Sequence, residues 1–186
     1  MGIIIQHQAA TDHSAQAASV VLQTISDGLG PGIQGIVLDL PQVCHYKHLP
    51  VESYELLSLR DVTGTTLTEH KMQRYSDAYH PKGDNDWRVS PLLAPVELLA
   101  RMPTTLLQIA GADPLRDEGI AFAQLLQSLH VPVTLRVYAG ECHGFRAAAL
   151  RMYTPAVTAA SDMEGFIKIV LGATLADSPS WTRPHT

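Results

Sequence analysis

The stretch "TTLLQIAGADPLRDEGIAFAQLLQSLHVPVTLRVYAGECHGF", from Thr104 to Phe145, contains two apolar runs separated by a segment of helical periodicity. The runs "TTLLQIAG" and "VPVTLRVYAG" predict strands, and "PLRDEGIAFAQLLQSLH" predicts the helix between them. A strand, a helix and a second strand in this order form a βαβ unit, in which the strands are parallel and the connection is right-handed. This stretch therefore predicts an α/β fold.

The rest of the chain extends the same alternation in both directions. Residues 2–5 ("GIII") and 33–40 ("IQGIVLDL") predict strands, and the second is apolar throughout, as in a parallel strand covered on both faces. Residues 11–27 predict a helix that stops at Gly28, and residues 155–176 predict a closing helix. We expect a mainly parallel sheet of about four strands with helices on both faces.

The predicted organisation is a single domain over residues 1–177, followed by a C-terminal tail over residues 178–186. Between two of the strands lies an irregular, partly helical insertion, residues 42–102. Within it, residues 53–61 and 67–80 have helical patterns, and a turn-rich stretch follows them.

Composition narrows the classes of function. A formal net charge of −5 leaves no basic footprint, so nucleic acid is not an expected partner. No apolar run reaches the ~20 residues that span a bilayer, and the first residues do not resemble a signal peptide, so we expect a cytoplasmic location. Cys44 and Cys142 lie far apart, outside any metal-type spacing, and neither a metal nor a cofactor is expected.

Two functional side chains follow neighbouring predicted strands. Asp113 comes just after "TTLLQIAG", and His143 comes just after "VPVTLRVYAG". Loops beyond the carboxyl ends of parallel strands gather at one crevice, so a carboxylate and an imidazole placed there can form the acid and base pair of a catalytic triad. The alternative is structural: Asp113 begins a helix before Pro114, and His143 belongs to an ordinary turn.

The segment from about Leu67 to Phe145 resembles the hormone-sensitive-lipase-like branch of the α/β-hydrolase family. Four stretches carry the resemblance in the family's order and spacing: "LTEHKMQRYSDAYHP", "RVSPLLAP", "MPTTLLQIAGADPLRDEG" and "VYAGECHGF". The stretch "LPQVCHYKHLP" is similar to the family's segment after its sixth strand. The resemblance implies carboxylic ester hydrolase ancestry, with Asp113 as the triad acid and His143 as the triad base.

The nucleophile is where the sequence departs from the family. The family carries a serine in a G-x-S-x-G turn between its fifth strand and the next helix. The corresponding stretch here, "QHQAATDHSAQAA", contains no glycine. Alignment of the following helix places either Asp12 or, after a two-residue shift, Ser14 at the serine position. Ser14 then has Asp12 and Gln16 where the family has glycines, and these side chains strain a tight elbow.

A second departure concerns the family's front half, because the resemblance begins at the fifth strand. No "HGGG"-like segment supplies the second backbone donor of an oxyanion hole. The strand "GIII" is then expected to be an exposed edge, so we predict a homodimer or a partner chain that covers it. Alternatively, the first residues and residues 42–102 fold back over the gap.

Three functions fit these observations. The first is an α/β-hydrolase-like enzyme of ester hydrolase ancestry that acts on a small, largely apolar metabolite, with Ser14 as nucleophile. The second is a non-hydrolytic isomerase, lyase or cyclase in which His143, oriented by Asp113, acts as general acid or base. In this second function Asp12 assists His143 or, alternatively, is itself the nucleophile. The third is a catalytically inactive binding or dimerisation module.

Overall fold

The sheet has four parallel strands in the order β1-β2-β3-β4. The computed structural model describes residues 2–6, 14–50, 58, 66–80, 85–146 and 153–172. The strands are β1 (Gly2–Gln6), β2 (Ile33–Asp39), β3 (Thr104–Ala112) and β4 (Val133–Cys142). Since all four strands are parallel, the loops that follow them lie at the same edge of the sheet.

Within the described residues, five α-helices accompany the strands. They are α1 (Ser14–Ser26), α2 (Glu69–Tyr79), α3 (Val96–Leu99), α4 (Arg116–Ser128) and α5 (Thr154–Leu171). Helix α2 begins where Thr68 accepts a hydrogen bond on its side-chain oxygen from the Lys71 N–H. Within the described residues no helix is long and apolar enough to cross a membrane.

Alternate residues of the central strands bury opposite faces of the sheet. On one face, Ile36 of β2 and Leu107 of β3 belong to a core cluster that also contains residues of α1 and α4. On the other face, Val37 of β2 and Leu106 of β3 pack against Phe166 of α5. The helices therefore cover both faces, and the predicted α/β class with about four parallel strands is confirmed.

The segment between β2 and β3 contributes to the core. The N–H of Leu92 donates to the carbonyl of Val43, and both side chains lie in the cluster with α1 and α4. Leu99 and Met102 belong to the same cluster. This segment thus packs against one face of the sheet, and its hydrogen bond to Val43 holds the chain that follows β2.

The predicted boundaries of the domain stay predictions. The helix predicted over residues 53–61 lies outside the described residues apart from Ser58, and so does the predicted tail over 178–186. The helix predicted over residues 67–80 is confirmed as α2, and the closing helix is confirmed as α5 as far as Leu171.

Candidate active site

Asp113 follows β3 and is buried, with 1% of its surface exposed. Its Oδ1 accepts a hydrogen bond from the Leu115 N–H at 3.0 Å, while the Arg116 N–H donates to its carbonyl oxygen. This short turn leads into α4 and uses one carboxylate oxygen. The other oxygen, Oδ2, faces the loop that follows β4.

His143 follows β4, and an irregularity in the pairing of β3 with β4 sets its position. Ala110 pairs with Tyr138 but Ala112 pairs with Cys142, so β4 carries two more residues than β3 in this interval. The backbones approach so closely here that a Cβ on Gly111 would lie 3.0 Å from the Tyr138 carbonyl oxygen. The extra residues shift the end of β4 and bring its loop next to Asp113.

The two predicted site residues, Asp113 and His143, are in hydrogen-bonding contact. His143 Nδ1 lies 2.7 Å from Asp113 Oδ2, and the side chains are 14% and 2% exposed. Because the carboxylate only accepts, the proton belongs on Nδ1, and Nε2 keeps a lone pair. A buried carboxylate in this position orients the imidazole and stabilises the imidazolium that forms after proton uptake.

Both loops are braced by neighbouring polar contacts. Ser58 donates its hydroxyl to the Pro114 carbonyl at 2.9 Å and accepts from the Asp117 N–H at 3.1 Å. The Ser58 N–H donates in turn to Asp117 Oδ2 at 2.7 Å. On the other loop, the Thr66 hydroxyl donates to the His143 carbonyl. The segment between β2 and β3 therefore supports the acid and the base alike.

Glu118 is a buried carboxyl that sequence reasoning missed, because a first-turn glutamate suggests a solvated partner of the helix dipole. It is 3% exposed, and its Oε1 accepts from the N–H groups of Val43 at 2.7 Å and Cys44 at 3.2 Å. Burial raises the pKa of Glu118 to about 8; the two backbone donors lower it, and the nearby Asp113 charge raises it further. Burial therefore favours the protonated form of Glu118.

Of the two candidate nucleophiles, Ser14 and Asp12, the structure describes only the backbone of Ser14. Ser14 is the first residue of α1, and Asp12 lies outside the described residues. Since β1 and β2 are parallel, α1 begins at the same edge of the sheet as Asp113 and His143. The assignment of Ser14 or Asp12 as the nucleophile stays a prediction. Among the side chains that the structure describes, no group of three His, Cys, Asp or Glu residues could hold a metal ion.

The parallel sheet and the Asp–His pair beyond two adjacent strands are the arrangement found in α/β hydrolases. A profile of the alpha/beta hydrolase fold family matches residues 15–147, and the chain belongs to this family.

The relatives are esterases and lipases. An esterase of Gibberella moniliformis is 33% identical over 132 residues, which cover 69% of this chain and 40% of the esterase. Hormone-sensitive lipase of Bos taurus is 41% identical over 61 residues, which cover 33% of this chain and 8% of the lipase. The resemblance to the hormone-sensitive-lipase-like branch is thereby confirmed.

The structural comparison agrees with the sequence relatives. A brefeldin A esterase, described as a bacterial homologue of human hormone-sensitive lipase, matches with a TM-score of 0.70 and 26% identity. The match covers 91% of this chain and 46% of the esterase. The chain thus spans less than half the length of each of these relatives.

Proposed function

We propose that this chain carries the acid and base of a carboxylic ester hydrolase that acts on a small, largely apolar metabolite. The observation that supports this most directly is the 2.7 Å contact between His143 Nδ1 and buried Asp113 Oδ2, beyond the carboxyl ends of adjacent strands. The family and its esterase and lipase members support the reaction class.

In the proposed reaction Ser14 is the nucleophile, and Asp12 is the second candidate for that role. His143 Nε2 takes the proton from the Ser14 hydroxyl as the oxygen attacks the ester carbonyl. The tetrahedral intermediate collapses when the C–O bond to the alcohol breaks, and His143 returns the proton to the leaving oxygen. Water then cleaves the acyl-enzyme with the same base, which releases the acid and restores Ser14.

The proposal includes a partner polypeptide. In the described sheet β1 is an edge strand that pairs with β2. We infer that a second copy of this chain, or another chain, covers this edge. Sedimentation velocity should show self-association, and a monomer at every concentration tested contradicts the homodimer.

The absence of glycine from the stretch Gln6 to Ala18 favours a second candidate function. In it, His143 oriented by Asp113 acts alone as general acid or base in an isomerase, lyase or cyclase reaction, a role that contributes about 10²- to 10⁴-fold in rate. A third candidate is a module that binds a ligand or a partner without catalysis.

One experiment separates these functions: treatment of the wild-type chain, Ser14→Ala and His143→Gln with a fluorophosphonate, followed by intact-mass measurement and p-nitrophenyl ester assays. The ester hydrolase proposal expects one adduct on Ser14 and loss of the adduct and of turnover in both variants. Labelling that persists in Ser14→Ala contradicts the assignment of Ser14. No adduct from the folded wild-type chain contradicts serine hydrolysis and leads to a search for acid–base chemistry by His143.

A further inference from the structure

A buried ion pair lies beside the loop that carries His143. Arg146 Nη1 is 2.9 Å from Asp39 Oδ2 at the end of β2, and 2.8 Å from Gln108 Oε1 in β3. The side chains of Arg146 and Asp39 are 8% and 1% exposed, and Gln108 is fully buried. A buried charge is costly unless it is paired, and here the charge of Arg146 is paired with Asp39 and hydrogen-bonded to Gln108.

The orientation of Gln108 is determined by its other contacts. Its Nε2 donates to the Tyr138 hydroxyl and to the Ala159 carbonyl, both at 2.7 Å. The Tyr138 hydroxyl donates to Asp162 Oδ2 of α5 at 2.9 Å. Since both amide protons have acceptors, Oε1 must face Arg146. The acceptor for Arg146 is therefore held in place by β4 and α5.

Arg146 and the end of β4 hold the two sides of one turn. On the first side, Cys142 pairs with Ala112 of β3. The turn then closes with the Phe145 N–H donating to the Cys142 carbonyl at 3.1 Å, and Phe145 packs in an apolar cluster against α5. Arg146 comes next and binds β2 and β3. His143 lies between these attachments, on the same turn.

We propose that Arg146, held by Asp39 and Gln108, is a positioning residue that keeps the His143 imidazole aligned with Asp113 for catalysis. Apolar packing of Phe145 holds the loop against the sheet but has little directional preference. The bonds from Arg146 are directional and join the loop to the end of β2 and to the middle of β3. This inference rests on the proposed function where turnover is concerned, whereas the alignment of His143 can be measured without turnover.

The geometry also predicts which substitution preserves the role. Both contacts come from the single nitrogen Nη1, without the two-nitrogen fork that arginine often uses with carboxylates. A lysine ammonium can bind two acceptors from one nitrogen. Arg146→Lys should therefore retain part of the function, and Arg146→Met should not.

The experiment compares wild type, Arg146→Met, Arg146→Lys and the control Thr105→Val. Thr105 is fully buried near the start of β3, at the opposite end of the strand from Asp113, and the substitution removes the hydrogen bond from its hydroxyl to the Pro103 carbonyl at 2.8 Å. The first readout is NMR of the His143 ring: the Nδ1 proton signal and the titration of the ring. The others are the unfolding midpoint and, on any ester that the wild type turns over, kcat and KM.

Arg146→Met is expected to weaken or broaden the Nδ1 proton signal and shift the ring titration. It should lower kcat about 10²-fold with little change in KM, the size of effect that follows from displacing a catalytic group by about 1 Å. Arg146→Lys should fall between Arg146→Met and wild type. Thr105→Val should lower the unfolding midpoint and leave the His143 signals unchanged.

Unchanged His143 signals in folded Arg146→Met would overturn the inference, and so would an equal change in Thr105→Val. If Arg146→Met does not fold, Arg146→Lys decides: partly altered His143 signals support the role, and wild-type signals in spite of a lowered midpoint reject it. If the wild type hydrolyses no ester, the proposed function fails, and the NMR comparison still tests the positioning of His143.

Discussion

Two buried carboxyl groups, Asp113 in the turn before α4 and Glu118 in its first turn, face different regions of the molecule. Asp113 faces the loop after β4 and contacts an imidazole, whereas Glu118 faces the chain after β2 and contacts two backbone N–H groups. They are 1% and 3% exposed. The two carboxyl groups are similarly buried but have different partners. The partner of each group therefore decides whether its charged form is favoured.

Asp113 contacts the imidazole of His143, whereas the Oε1 of Glu118 accepts from backbone N–H groups. A carboxylate beside His143 stabilises the imidazolium that forms during catalysis. Glu118 needs only an acceptor oxygen for the Val43 and Cys44 N–H groups, and a protonated carboxyl supplies one. Asp113 therefore belongs to the proposed chemistry, and Glu118 maintains the structure beside it.

The largest expected effect is on turnover, and it distinguishes the role of Asp113 from that of Glu118. Asp113→Asn should lower kcat by about 10⁴-fold, because the amide favours the wrong tautomer of His143. Glu118→Gln should leave kcat near the wild-type value, because the amide oxygen still accepts from both N–H groups. Steady-state assays on the best ester substrate measure both, and equal losses in the two variants contradict the division of roles.

The next effect concerns the close approach that brings His143 to Asp113. Gly111→Ala adds a Cβ 3.0 Å from the Tyr138 carbonyl oxygen and 3.1 Å from the Gly140 nitrogen, both backbone atoms that cannot rotate away. We expect the free energy of unfolding to fall by about 1–3 kcal/mol, as in other overpacked sites, with loss of turnover as His143 moves.

Gly165→Ala is the matched control for this substitution. No atom lies within 4 Å of the added Cβ, and Gly165 is inside α5, so alanine should stabilise the protein by about 0.5–1 kcal/mol. Chemical denaturation of both variants measures the difference. A Gly111→Ala protein as stable as wild type would show that β3 and β4 can separate without cost.

A further expected effect is the pH dependence of stability. The pKa of Glu118 is about 8 in the folded chain against an ordinary value of 4.5, so the folded state binds more protons between these values. The stability from this group is fully present below pH 4.5 and is lost as pH rises through 8, with a slope of at most about 1.4 kcal/mol per pH unit.

Glu118→Gln removes this titration, so its unfolding free energy should fall less than that of wild type between pH 5 and 8. Urea unfolding at a series of pH values measures both slopes. Parallel curves for the two proteins would mean that Glu118 does not hold its proton in the folded chain.

The α/β fold and the Asp113–His143 pair could be predicted because both depend on local pattern and strand order. Apolar strands and helical periodicity are readable along the chain, and adjacent parallel strands bring their following loops together. The roles of Glu118 and Arg146 could not be predicted. Glu118 and Val43 are 75 residues apart, and Arg146 and Asp39 are 107 residues apart.

By itself, the sequence determined the class of this protein and two members of its candidate site. It also showed that the stretch around Asp12 and Ser14 lacks the glycines of the family's nucleophile turn. The tertiary structure decided the distance between His143 and Asp113, through the irregular pairing of β3 with β4. It also decided which buried polar groups acquire partners, because hydrogen-bond geometry depends on distances of a few ångström between segments far apart in the chain.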